Sequence, residues 1–190
     1  MSTESKPAPP KTAAEVCQKF PLSAAAAPLL RNDMKPKQFL DLLIEKKHFP
    51  DAVKFQAHSM PKREAIWWVC LCSRPEKGVT VAAPVNAAQQ AAEAWVSAPS
   101  DEKRRAAHAA AKPAGIGTPV GLTCEAIFFS EGSMGPAEFQ AVPAPEGLAA
   151  TTAANAVILA AVADAAKIEA KFRQLLTLGN DVATGKNKWK

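Results

Sequence analysis

Sixteen prolines punctuate this chain of 190 residues, and they limit the length of most elements it can form. Proline lacks an amide proton and its ring clashes with the preceding helical turn, so helices start or stop where one stands. Pro21, Pro28, Pro36, Pro50, Pro61, Pro75, Pro99, Pro113 and Pro119 cut the chain up to residue 120 into short segments. Within the segments, apolar residues recur at helical spacing, as in Phe39, Leu40, Leu43 and Ile44. Alanine, the best helix former, makes up roughly a fifth of the chain, well above ordinary usage. The expected fold is all-α: a compact bundle of short helices with a long C-terminal helix and a solenoid-like N-terminal half.

Individual signals place the helices. Thr12 with Glu15 three residues on forms a capping box and opens a helix over Ala13–Phe20. Helices over Lys37–Lys47, Asp51–Ser59 and Lys62–Ser73 follow. The last of these is apolar all the way round, which predicts a central helix walled by the two before it and by the C-terminal helix. Ser100 caps a helix over Asp101–Lys112, whose Lys103, Arg104 and Arg105 read as a solvated basic face. Thr118-Pro119 opens another to Ser130. The longest apolar stripe predicts one helix over Thr152–Leu178, with Gly179 as the residue that ends it. Residues 1–11 read as a disordered lead-in, 12–185 as a single helical domain, and 186–190 as a loose basic tail.

Composition excludes several classes. The net charge of +5 is concentrated at the two ends, without the dense basic face of a nucleic-acid binder. The cysteines Cys17, Cys70, Cys72 and Cys124 are too few for a disulfide scaffold and fall in apolar helical patterns. The longest apolar runs, Ala65–Cys72 and Ala156–Ala163, are far shorter than the roughly 20 residues of a membrane span. The start of the chain lacks a signal-peptide pattern. The expectation is a cytoplasmic protein with no membrane span, no cofactor and no metal.

The unusual chemistry crowds between His58 and Cys72. Cys70 and Cys72 stand two apart and point about 200° apart on a helix, so they do not share an ion with His58. Thiol catalysis by Cys70 with His58 needs an exposed, electropositive cysteine, and this one lies in an apolar helix. Arg63 and Trp67 are four residues apart, so the guanidinium is expected to pack on the indole. Adjacent tryptophans point about 100° apart, so one of Trp67 and Trp68 is expected to reach a groove or partner. Trp67, Trp68, Arg63, Glu64 and His58 are therefore the candidate interaction residues, and no catalytic residue is assigned.

The block Asp51-Ala-Val-x-Phe-x-Ala-His58-x-Met-Pro61-x-Arg63-Glu64-Ala65-x-Trp67-Trp68-x-Cys70, with Ala126-x-Phe-Phe-Ser130 and Leu178-Gly-x-Asp181-Val-Ala, resembles an uncharacterised family of bacterial helical proteins, a domain of unknown function. The resemblance covers most of residues 13–185. It implies a helical fold with no established activity, and members sometimes encoded near type VI secretion genes. The function expected is a non-enzymatic protein-interaction module, an adaptor, scaffold or secretion-accessory factor with a protein partner. The alternatives are an enzyme with a helical active site around His58, Arg63, Glu64 and Cys70, or a weak binder of anionic surfaces through the basic ends.

Overall fold

A computed structural model of the chain describes residues 12–75, 78–136 and 139–189. The expected disordered lead-in, 1–11, lies outside the described residues. The described residues form nine α-helices and no strand: α1 (Ala13–Cys17), α2 (Pro36–Glu45), α3 (Phe49–Ser59), α4 (Lys62–Ser73), α5 (Ala83–Ser97), α6 (Asp101–Ala114), α7 (Pro119–Phe128), α8 (Leu148–Val162) and α9 (Ile168–Ala183). The fold is all-α, and α9, at 16 residues, is the longest helix among them.

The sequence signals explain most of the boundaries. Thr12 Oγ1 accepts from the Glu15 amide, Ser100 Oγ from Lys103, and Thr118 Oγ1 from Gly121, each occupying an amide that a helix start leaves unpaired. Prolines occupy the first turns of α2, α3, α5 and α7, where the missing amide proton costs nothing.

As its all-round apolar pattern requires, α4 is central. It packs on α5, α7, α8 and α9, and Ala65 to Cys70 are all buried. Its expected walls are only partly right. The C-terminal helices do form one, but α2 and α3 pack on each other, and α3 packs on α8 and α9, rather than along α4. Pro61 and the extended backbone at Met60 turn the chain away between α3 and α4, so the two become neighbours of the same helices.

The helix expected over 152–178 is two helices. The chain bends by 96° between α8 and α9. At the break Asp164 leaves helical geometry, and its Oδ1 accepts from the Ala166 amide at 3.0 Å. A short acidic side chain thus takes over a backbone donor that a continuous helix would use. Gly179 does not end the helix; it lies buried inside α9. No single helix among the described residues is long and apolar enough to cross a membrane.

Candidate functional site

An open groove of about 870 Å3 lies where α3 turns into α4. One wall is the end of α3, with Ala57, His58 and Met60, continued by Lys62, Ala65 and Ile66 of α4. Facing it are Phe129–Gly132, just beyond α7, and the segment Pro143–Gly147. Ala149, Ala150 and Ala153 from the first turns of α8 complete the lining. Alanine at these positions leaves the space that larger side chains would fill. The rim carries both signs of charge: Lys19 and Lys62 with Asp101, Glu131 and Glu146.

Hydrogen bonds hold the rim. Lys62 Nζ reaches across and donates to the Ser130 carbonyl at 2.8 Å. The Ser133 amide segment is pinned to the returning chain by a bridge to Pro143, with the Met134 amide donating to the Val142 carbonyl at 2.8 Å. Behind them stands Arg104. Its Nη1 donates to the Phe128 carbonyl at 2.8 Å and its Nη2 to the Ser133 carbonyl at 2.9 Å, while Nε donates to Asp101 Oδ1 at 2.8 Å. The guanidinium also lies over the Phe128 ring, 4.8 Å from its centroid. The expectation of a solvated basic face is therefore corrected at Arg104, which is 1% exposed. The carbonyls it satisfies come from a segment about 25 residues away in sequence, so helical spacing within α6 gave no sign of them.

His58 is the one candidate interaction residue that lines the groove. Its ring stacks on Phe20 with centroids 4.9 Å apart, and Nε2 lies 3.3 Å from Thr151 Oγ1. Burial, with Lys19 nearby, lowers its pKa from 6.5 to about 4. The ring is neutral near pH 7 and can donate or accept a hydrogen bond, but it carries no charge there.

The other candidates go elsewhere. Trp67 and Trp68 are both buried, at 7% and 0% exposed. The indole N–H of Trp68 donates to the Leu175 carbonyl at 2.7 Å. That of Trp67 has no hydrogen-bond partner among the described residues. Their divergence is real, but it points both rings into the core, because α4 has neighbours on several sides. Arg63 does not stack on Trp67. It donates to the Val96 and Ser97 carbonyls at the end of α5 and lies under Trp189. Trp67 instead meets Arg74, 5.1 Å from the ring centroid. Glu64 is half-buried in the first turn of α4, where a negative charge favours the helix dipole.

The constellation His58, Arg63, Glu64 and Cys70 is not assembled, since the groove that His58 lines contains none of the other three. Cys70 is fully buried, and burial, reinforced by nearby Glu93, raises its pKa well above the usual thiol value. Burial likewise pushes Cys17 up to about 11 and Cys124 up to about 12. None has the lowered pKa of an activated thiol. No group of three or more His, Cys, Asp or Glu side chains among the described residues is arranged to hold a metal ion.

No curated protein and no solved structure matches the chain. A family model described as a family of unknown function (DUF6931) matches residues 39–183, which contain α4, the groove lining from Ala57 to Ala153 and all of α9. That match covers more than half of the chain, and the chain belongs to this family.

Proposed function

We propose that the protein is an interaction module that takes an extended segment of a partner protein in the groove between α3, α4 and α8. One observation carries the reading: an open space of about 870 Å3 whose floor is alanine and other apolar side chains and whose rim carries charges of both signs. Such a surface offers apolar burial along its floor and hydrogen bonds or ion pairs along its edge, the arrangement that peptide-binding grooves use. Lys62 ties the two walls to each other at the rim and Arg104 braces one of them from behind before anything binds, which reduces the ordering cost of association. The finer setting, a bacterial adaptor or secretion-accessory factor, rests on the family resemblance of the sequence alone.

The test is Ala150→Trp, which fills the groove from a half-buried position on α8. The full-length wild type and variant, shown by thermal melting to be equally folded, are used as bait. Partners retained by the wild type and lost by the variant are those seated in the groove. Equal retention of every partner by both overturns the reading.

A further inference from the structure

The C-terminal tail is held where the sequence predicted a loose end. Beyond α9, Gly185 adopts φ 74°, a left-handed conformation that favours glycine. The amides of Lys186 and Asn187 both donate to the Asp181 carbonyl, at 2.8 and 3.0 Å. The chain therefore doubles back, and Trp189 comes to lie on the Arg63 guanidinium, which is 4.3 Å from its ring centroid. Arg63 is committed on its edge as well. Its Nε donates to the Val96 carbonyl at 2.7 Å and its Nη2 to the Ser97 carbonyl at 2.9 Å, both in the last turn of α5. One guanidinium thus joins the first turn of α4, the end of α5 and the tail beyond α9.

We propose that Gly185–Trp189 is a C-terminal latch, a conformational device in which Trp189, seated on Arg63, fixes the Arg63 side chain and through it the end of α5. The latch can open without unfolding the domain. The Trp189 residue is only half-buried, it stacks on the cation at the edge of the core rather than within it, and its pivot is a glycine. The tail also lies beyond residues 39–183, the segment the family model matches. Closed, the latch covers one face of the guanidinium while the carbonyls hold its edge. Open, it leaves a cationic face uncovered beside the end of α5, and a planar fork that suits aromatic faces as well as carbonyls.

Hydrogen exchange of the full-length protein reads the device directly. In Trp189→Ala, the amides of the last turn of α5 should exchange about fivefold faster, the factor an exposed cation–π contact supports. Trp189→Phe keeps an aromatic face and should return exchange to near the wild-type rate. Arg63→Lys keeps the charge, loses the fork to Val96 and Ser97, and should raise exchange at the same amides. Unchanged exchange in Trp189→Ala overturns the latch. So does a rise spread evenly over all the helices, because that would make Trp189 an ordinary stabilising contact.

Discussion

Arg104 and Asp101, one turn apart on α6, form an unequal pair: the guanidinium is 1% exposed and the carboxylate 57%. Asp101 also binds Arg105, with Oδ2 accepting from Nε at 2.8 Å. The hydrogen bonds from Arg105 and Arg104 hold the Asp101 carboxyl below the usual carboxylate range. The buried member ties α6 to the Phe128–Ser133 segment that forms one groove wall, and the exposed member keeps it charge-balanced from the rim.

Replacing Arg104 should therefore harm the fold and the groove together. Arg104→Met keeps an unbranched apolar stem but leaves the Phe128 and Ser133 carbonyls without their donor. Each buried carbonyl stranded in this way costs about 1–3 kcal/mol. Urea denaturation should show a loss of roughly that size or its double, whereas Lys103→Met, on the same helix, should stay within about 0.5 kcal/mol of wild type. Equal stability of the two variants would show that Arg104 is dispensable.

The neighbouring tryptophans should separate on replacement by phenylalanine. Trp68→Phe removes the donor to the Leu175 carbonyl and should cost about 1–3 kcal/mol for the acceptor left behind, beyond the lost volume. Trp67→Phe removes an indole N–H that has no hydrogen-bond partner among the described residues, so its loss should be the smaller. Full truncation of either ring to alanine should cost about 3–5 kcal/mol. Chemical denaturation of the four variants checks the order, and a larger loss for Trp67→Phe than for Trp68→Phe would contradict it.

Gly179 lets α9 lie close against Gln56 of α3 and Trp68 of α4. A Cβ there would stand 2.6 Å from Gln56 Nε2 and 2.8 Å from Trp68 Cε2. The amide of Gln56 ends a flexible side chain, but the indole is rigid and anchored by its own hydrogen bond. In an open helix, Gly→Ala stabilises by up to about 1 kcal/mol. Here overpacking, at about 1–3 kcal/mol, should reverse the sign. A raised melting temperature for Gly179→Ala would show that α9 can move outward freely.

Acid should weaken the fold through His58. Its folded pKa, lowered to about 4, lies below the ordinary value of 6.5, so unfolding takes up a proton between these two pH values. The stability that goes with the neutral ring is fully present above pH 6.5 and is lost as the pH falls toward about 4. The urea midpoint of the wild type should therefore drop between about pH 7 and about pH 5, and His58→Gln should drop less over the same interval. Parallel pH dependences would place the titrating group elsewhere.

What the sequence determined by itself was local. Proline positions, capping side chains and apolar spacing are read within a few residues, and they set the helical class, the starts of α1, α6 and α7, and the all-round burial of α4. The tertiary structure decided everything that depends on a distant partner. Asp164 breaks a stripe whose alanines suit a continuous helix and a bent pair equally, and only the packing of both α8 and α9 onto α3 and α4 requires the bend. Arg104 has the spacing of a surface cation, yet it is buried because two carbonyls, one at the end of α7 and one beyond it, receive it. Trp67 and Trp68 diverge as helical geometry dictates, but the number of helices packed around α4 determines that both directions lead inward. The groove has no sequence signature, since its lining of alanine, proline and glycine is the composition of ordinary turns and helices. It exists because the turn between α3 and α4, the end of α7 and the start of α8 meet at one place in the fold.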